Sequence, residues 1–377
     1  MKILQISSAR VQYLGGTEKV VWELSKYMAK QGHEVTILQT DLYEKGSKWE
    51  SIEKKEGINI ITCKNDRFFK GFGYSKGFKQ KLKEIWKDFD IVHIHGHGRF
   101  TSNWALKFLK EKKPIIYTAH GFFHSRKAGM MKKIYDKLFG RRLNNAIFCT
   151  ALTKIEKEKY IQLGVPEKCI KIIPNWVDLK IHKRLKVFRK KVYSSLGLNP
   201  DLKTLLYVGR VHESKGLSYI LEAIKDIDIN FIVVGNDGSY MSQLKKEIVK
   251  LGLENRVIVT GPVNNDRLRE IYSSSDFFVL FSEWEGFGIV VIEAMAYGLP
   301  VIVSDRGALP YLIKDGENGQ ITPFGNISKL SEKIKKYLDN PSFAKKISSV
   351  GKEFVKDYDT GKIVREYEKL YEEARRV

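Results

Sequence analysis

The strongest constraint on this chain is an alternation that runs through most of its length. Short apolar segments, three to six residues long, are separated by stretches with helical periodicity. In the first half the segments are Lys2–Ser7, Val35–Gln39, Ile58–Cys63, Ile91–His95, Ile115–Ala119, Ala146–Thr150 and Cys169–Ile173. In the second half they are Thr204–Gly209, Phe231–Gly235, Val257–Gly261, Phe277–Phe281, Val301–Ser304 and Gln320–Thr322. Between them, Val20, Val21, Leu24, Tyr27 and Met28 form one apolar helical stripe, and Leu221, Ala223 and Ile224 begin another. The alternation predicts an α/β fold: parallel sheets covered by helices on both faces, in two doubly wound units.

The 377 residues are comfortable for two domains. With 43% hydrophobic and 12% aromatic residues, each half can bury a core. No apolar run reaches the roughly 18–20 residues that span a bilayer. Met1 to Ile6 passes directly into a strand pattern without the features of a signal peptide. Cys63, Cys149 and Cys169 are scattered and odd in number, so they form neither a disulfide framework nor a metal motif and fit a reducing cytosol.

The formal net charge is +22, and its distribution says more than its size. Residues 1–190 hold 40 Lys and Arg against 18 Asp and Glu; the remainder hold 26 against 26. The two halves are therefore expected to meet different partners, the basic one something anionic. Pro174-Asn175 signals a turn, and the basic segment Asp178–Leu198 reads as a linker. This gives a first domain over 1–180, a second over 181–359, and a charged helix at the end, Thr360–Val377.

Three segments carry chemistry. Gly15-Gly16-Thr17-Glu18 follows the first strand and opens a helix; its glycines admit close backbone approach and Thr17 can cap the helix, whose N-terminus favours a phosphate. A simple tight turn explains it equally well. Gly209-Arg210 through Lys215-Gly216 places two cations at a strand-to-helix turn, where they either converge on a diphosphate or stay solvated. Ser282–Met295 is the most informative. Gly286 and Gly288 expose backbone N–H groups where a helix starts, suiting a phosphate or sugar hydroxyls. Glu293 stands among Ile289, Val290, Val291, Ile292, Ala294 and Met295, so its carboxylate needs partners. A ribose diol supplies them, or protein groups do.

Glu285 and Glu293 are separated by seven residues, and in this spacing the chain resembles the retaining glycosyltransferases of group 1 and family 4, which have the GT-B fold. The resemblance extends over nearly the whole chain in order. It includes Gly15-Gly16-Thr17-Glu18, Asp90-Ile91-Val92-His93-Ile94-His95, Tyr117-Thr118-Ala119-His120-Gly121, Ile173-Pro174-Asn175-Trp176-Val177-Asp178, Gly209-Arg210…Lys215-Gly216, Gly298-Leu299-Pro300-Val301-Ile302 and Asp315-Gly316-Glu317-Asn318-Gly319.

The resemblance implies two Rossmann-like domains facing a central cleft, an acceptor side in the first and a nucleotide-sugar donor side in the second. The final helix, 360–377, would pack back on the first domain. Arg210 and Lys215 would neutralise the donor diphosphate, with Gly15 and Gly16 assisting. Glu293 would hold the ribose. Glu285, with Gly286 and the backbone of Phe287 and Gly288, would hold the transferred sugar, and His120 would lie close to its anomeric carbon. Anomeric configuration would be retained, with no metal and no cofactor beyond a co-substrate such as a UDP- or GDP-sugar. The acceptor would be a glycan, lipid or lipid-phosphate, as in cell-envelope glycan synthesis. Two positions depart from the family pattern. Trp176 stands where glycine is usual, and Gly307-Ala308-Leu309-Pro310-Tyr311 lacks the usual second glycine and the glutamate after the proline.

His93, His95 and His97 alternate along one strand face. With no Asp, Glu or Cys ligand in the same segment, they read as strand-end histidines rather than a zinc site. His124 and His212 lie near motifs without an assigned role. Asp66–Lys79 and Ser125–Arg142 mix aromatics with cations. They suggest an anionic membrane surface or a lipid-phosphate acceptor, hence a cytoplasmic enzyme at the inner face of the membrane. General lysine richness is the alternative, but the confinement of the excess charge to one half favours the membrane or anionic acceptor, and nucleic acid is not expected because no recognition motif accompanies the charge. The other functions open to the chain are a nucleotide-sugar epimerase of the same fold, and a basic membrane- or nucleic-acid-binding scaffold without catalysis.

Overall fold

The computed structural model describes residues 1–377 apart from 13–14, 42–50, 70–71, 123–135 and 137–138. The chain divides into two compact units, Met1–Asn175 with Lys362–Val377, and Trp176–Gly361.

The strands of the first unit are β1 (Lys2–Ile6), β2 (Glu34–Thr40), β3 (Ser51–Lys55), β4 (Ile58–Cys63), β5 (Arg67–Phe69), β6 (Phe72–Tyr74), β7 (Ile91–His95), β8 (Ile115–Thr118), β9 (Phe148–Ala151) and β10 (Ile170–Ile172). Eight of them form one sheet in the order β10-β9-β8-β7-β1-β2-β4-β3. All its pairings are parallel except β3 with β4. Helix Gly16–Lys30 buries Val20, Val21, Leu24 and Met28. The C-terminal helix Thr360–Arg376 buries Ile363, Val364, Tyr367, Leu370, Tyr371 and Ala374, one stripe at helical spacing.

The second unit contains β11 (Lys203–Val208), β12 (Ile229–Val234), β13 (Val257–Gly261), β14 (Phe277–Leu280), β15 (Val301–Ser304) and β16 (Gln320–Thr322). Their order is β13-β12-β11-β14-β15-β16, parallel throughout. Counted within the unit this is 3-2-1-4-5-6, the dinucleotide-fold order. Its strands are apolar on both faces: β12, β14 and β15 are buried along their whole length. The α/β fold of two parallel-sheet units expected from the alternation is thus present.

Three features differ from the sequence reading. Strand β3 was not expected, because its residues are charged and mostly exposed. The turn after it explains its pairing: Glu56 and Gly57 have φ of 49° and 82°, the two left-handed residues of a tight hairpin. The β5–β6 hairpin, too short to show a period, was also missed.

The third difference is the basic segment Asp178–Leu198, which is not a free linker. Helix Asn265–Ser274 ends beneath it with carbonyls that have no helical partner. Arg184 donates to the carbonyls of Ser273 and Ser275 at 3.1 and 3.3 Å, and Arg189 to that of Ser274 at 3.0 Å. Arg189 also pairs with Asp276 at 2.8 Å. These cations cap a helix C-terminus. The division between the units falls at Asn175/Trp176, so charge counted with the first half belongs to the second. By unit, the first holds 39 Lys and Arg against 21 Asp and Glu, and the second 27 against 23.

Candidate active site

In a doubly wound sheet the strand order reverses at one point, and ligands bind outside the carboxyl ends of the strands there. In the second unit that point lies between β11 and β14. The loop Gly209–Gly216 leaves β11, and the loop Ser282–Gly288 leaves β14. The backbone joins them: Glu283 N–H donates to the Ser214 carbonyl at 2.8 Å.

Two expected donor groups meet at this junction. Lys215 Nζ donates to Glu285 Oε1 at 2.5 Å, and the Ser282 hydroxyl donates to the same oxygen at 2.8 Å. The two charged side chains are 14% and 17% exposed, so the pair is partly desolvated yet still reachable. Arg210 is exposed. Its carbonyl accepts from the Tyr207 hydroxyl at 2.8 Å, while its guanidinium makes no hydrogen bond or ion pair among the described residues. Glu285 is also fixed from behind. Gly307 has φ 60° and packs on the Glu285 peptide so closely that an added Cβ would strike the Glu285 carbonyl oxygen and lie 2.6 Å from its nitrogen. The Ala308 N–H then donates to that carbonyl at 3.0 Å.

Gly288 caps helix Ile289–Ala296 in a left-handed conformation, φ 93°, where an added Cβ would come 2.9 Å from Leu309 Cδ2. The first N–H groups of that helix lack helical acceptors. Phe287 is buried against Tyr358, and Gly286 is half-buried. Glu293 is 3% exposed. Its Oε2 accepts from the Tyr272 hydroxyl at 3.3 Å, and His182 Nε2 lies 3.9 Å from Oε1. Burial, with Glu293 alongside, pushes the Tyr272 phenol well above its ordinary value, so it stays a donor. Protein groups therefore already satisfy Glu293. Of the two departures from the family pattern, Trp176 is buried and Tyr311 is 47% exposed.

The order reverses in the first unit between β1 and β7. The loop after β1 leads to helix Gly16–Lys30, whose N-cap is Gly15 with no side-chain bond. Thr17 therefore lies inside the first turn and does not cap, contrary to expectation. The Glu18 carboxylate instead folds back into the space a Cβ on Gly15 would take. A negative charge thus already sits at the helix end assigned to a phosphate.

His120 follows β8 in a left-handed conformation, φ 55°, uncommon for a residue with a side chain. Its neighbours pin it. Gly121 N–H donates to Glu156 Oε1 at 2.5 Å, Leu152 N–H to Glu156 Oε2 at 2.6 Å, and Ala119 N–H to the Tyr160 hydroxyl at 2.9 Å. Burial pushes the Glu156 carboxyl up to about 7, against the pull of those two N–H groups. His120 Nε2 lies 2.8 Å from His95 Nδ1. Burial lowers His120 to about 3, and lowers His93 and His95 well below the imidazole range. All three are neutral.

Sequence reading missed Ser282, Glu156 and the partners of the strand histidines. His97 Nδ1 lies 3.2 Å from the Tyr117 hydroxyl and Nε2 3.8 Å from Asp136. His212 caps its own turn, accepting from Ser214 N–H at 3.1 Å. Of the two basic-aromatic stretches, Asp66–Lys79 forms the β5–β6 hairpin and enters helix Lys76–Ile85. It leads into a half-exposed aromatic row in which Trp104 stacks on Phe108 at 4.9 Å and Lys112 Nζ lies 4.0 Å from the Phe108 ring. The other stretch falls largely outside the described residues, as does His124.

Comparison with known proteins agrees with the fold. Residues 14–181 match the family model described as Glycosyltransferase Family 4, and residues 188–354 match that of Glycosyl transferases group 1. An uncharacterized glycosyltransferase of Methanocaldococcus jannaschii, MJ1178, is 29% identical over 99% of this chain and 98% of its own length. The GDP-mannose:cellobiosyl-diphosphopolyprenol alpha-mannosyltransferase of Xanthomonas oryzae is 24% identical over 99% of this chain and 97% of its own. Among solved structures, Anabaena HepE, crystallised with UDP and glucose, superposes with a TM-score of 0.81 at 20% identity, covering 99% of this chain and 100% of that one.

Proposed function

From the premise that this chain belongs to the group 1 glycosyltransferases, we propose that it moves a sugar from a nucleoside diphosphate to a lipid-linked or glycan acceptor with retention of anomeric configuration. The observation that carries the reading is the Lys215–Glu285 pair at the switch point of a 3-2-1-4-5-6 sheet, with Arg210 exposed beside it. The bond from the anomeric carbon to the diphosphate breaks, the acceptor oxygen takes its place, and the acceptor's proton leaves with the departing diphosphate. Charge develops on the departing diphosphate, where Arg210, Lys215 and the N-terminus of helix Ile289–Ala296 oppose it. Those charges serve in place of a metal.

Glu285 accepts hydroxyls of the transferred sugar through the oxygen that Lys215 does not occupy, and His120 meets the same sugar. Glu293 is assigned the ribose. Retention is supported by the Xanthomonas relative, an alpha-mannosyltransferase. That relative acts on a cellobiosyl-diphosphopolyprenol, which supports a glycan acceptor carried on a lipid diphosphate. The charge excess of the first unit and its lysine-edged aromatic row suit an anionic membrane surface, which supports a position at the inner face of the membrane. Among the described residues no helix is long and apolar enough to cross one.

The test is transfer from a panel of UDP- and GDP-sugars to a polyprenyl-diphosphate-linked sugar, with the new linkage read by NMR. An alpha product from an alpha donor is expected. Donor turnover without any acceptor would make the enzyme an epimerase, and an inverted linkage would refute retention.

A further inference from the structure

The sheet of the first unit holds polar side chains where an apolar core is expected. Gln5 lies on β1, His93 and His95 on β7, Thr118 on β8 and Thr150 on β9, all nearly or fully buried. Gln5 pairs with His93, His95 with Thr118, and Thr118 with Thr150 in register, so all five share one face. Tyr371 of the C-terminal helix, also fully buried, reaches the same face. Unpaired, so many buried polar groups would be costly. They are joined in a line, with Tyr367 of the same helix bonded to Thr118 and Thr150 at its far end. His120 Nε2 lies 2.8 Å from His95 Nδ1, and His95 Nε2 2.6 Å from Gln5 Oε1. Gln5 Nε2 lies 3.0 Å from the Tyr371 oxygen, which is 2.7 Å from His93 Nδ1. His93 Nε2 lies 2.7 Å from Thr118 Oγ1, which in turn bonds Thr150 Oγ1.

Gln5 gives the line its direction, because one end of an amide only donates and the other only accepts. Its Nε2 donates to Tyr371 and its Oε1 faces His95. With the amide in this orientation the His95 proton is on Nε2, leaving Nδ1 as an acceptor. His120 must supply the proton there from its own Nε2. On the far side Tyr371 passes its hydroxyl proton to His93 Nδ1, and His93 donates from Nε2 to Thr118. Every donor points the same way, an arrangement in which each bond strengthens the next. The outcome at the near end is a neutral His120 whose Nδ1 lone pair has no partner among the described residues, on a side chain that is only half-buried.

We propose that this relay, with Gln5, His95 and Tyr371 as positioning residues, locks His120 as the Nε2–H tautomer so that Nδ1 accepts a hydrogen bond from a hydroxyl of the transferred sugar. The inference rests on the transferase reading for the ligand, but not for the tautomer. Tyr371→Phe removes one oxygen on the C-terminal helix. Gln5 is then free to turn over, and both tautomers of His120 become accessible.

Ring ¹⁵N spectra of the full-length, histidine-labelled protein read the tautomer without any substrate. Wild type should show His120 neutral, with its proton on Nε2, even near about pH 5, below the ordinary imidazole value of about 6.5. Tyr371→Phe should give a mixture of tautomers. In transfer assays Tyr371→Phe and Gln5→Met should lower kcat roughly ten- to hundred-fold, as misoriented groups do, with donor KM within about two-fold. In a His120→Ala background Tyr371→Phe should cost nothing further. A proton on His120 Nδ1 in the wild type overturns the proposal whatever the reaction proves to be. An equal kcat loss with and without His120 overturns it while leaving the transferase reading intact. Should Gln5→Met fail to fold, the milder Tyr371→Phe still decides.

Discussion

The two units solve the placement of polar groups in opposite ways. In the second, Lys215, Glu285 and Arg210 are charged, partly or fully exposed, and carried on loops at strand ends. In the first, Gln5, His93, His95, Thr118 and Tyr371 are neutral, enclosed and carried on strand and helix interiors. The difference teaches where each kind of group can act. Charges stay near water, because burying them alone is expensive. Neutral groups tolerate full burial once each hydrogen bond is made, and so they transmit orientation rather than charge.

The largest effect should come from removing the charge at the exposed site. Lys215→Ala is expected to lower transfer by about 10²–10³-fold, since it removes a cation facing the leaving diphosphate and leaves Glu285 opposing it. Steady-state kinetics against wild type measure this, and an unimpaired variant would contradict the assignment. Glu285→Gln sharpens the contrast, because it separates sugar from diphosphate. Transfer should fall about tenfold or more, while binding of the free nucleoside diphosphate, read by titration calorimetry, should stay equal or become tighter as a negative charge is lost. Weakened diphosphate binding would place Glu285 elsewhere.

The neutral site should reveal itself through pH. His93, His95 and His120 are held uncharged in the fold. Below the ordinary imidazole value of about 6.5 the unfolded chain binds more protons than the folded one, so stability should fall as pH falls through that value. Glu156 acts in the other direction. Its carboxyl rises from 4.5 to about 7, so the folded state holds the extra proton between these values, and its share of stability is lost as pH rises across them. Denaturant unfolding at a series of pH values should show both, and Glu156→Gln should flatten the second. A stability profile indifferent to pH between about 6.5 and 5 would argue against buried neutral histidines.

The smallest effect concerns the surface. Lys112→Glu should weaken adsorption to anionic vesicles by about 1–2 kcal/mol, in a salt-sensitive way, without altering donor binding. Vesicle sedimentation tests it, and adsorption unchanged by the substitution would move any membrane contact off the aromatic row.

This contrast also explains what the sequence disclosed. Apolar strands alternating with helices made the α/β fold readable, because period and length are local properties. Arg210, Lys215 and Glu285 were readable because glycines and charges at strand ends stand out. Gln5 and Tyr371 were not, since a lone glutamine in a strand and a tyrosine in a helix stripe look like ordinary packing residues. Their meaning depends on a contact 366 residues apart in sequence. The strand histidines were seen but read as ends, because a line of hydrogen bonds crossing four strands has no sequence period. Arg184 and Arg189 misled for a related reason: a cation that caps a distant helix is indistinguishable in sequence from one facing solvent.

The central claim is that the Lys215–Glu285 junction is a nucleotide-sugar donor site, and thermal unfolding in the presence of nucleoside diphosphates and their sugars addresses it most directly. A ligand bound only to the folded state raises stability by about 2.7 kcal/mol at a hundredfold excess over its Kd. At least one UDP- or GDP-linked ligand should raise the unfolding temperature of the wild type, and the same ligand should leave Lys215→Ala nearly unshifted. No shift with any of them, or an equal shift in the variant, would contradict the account.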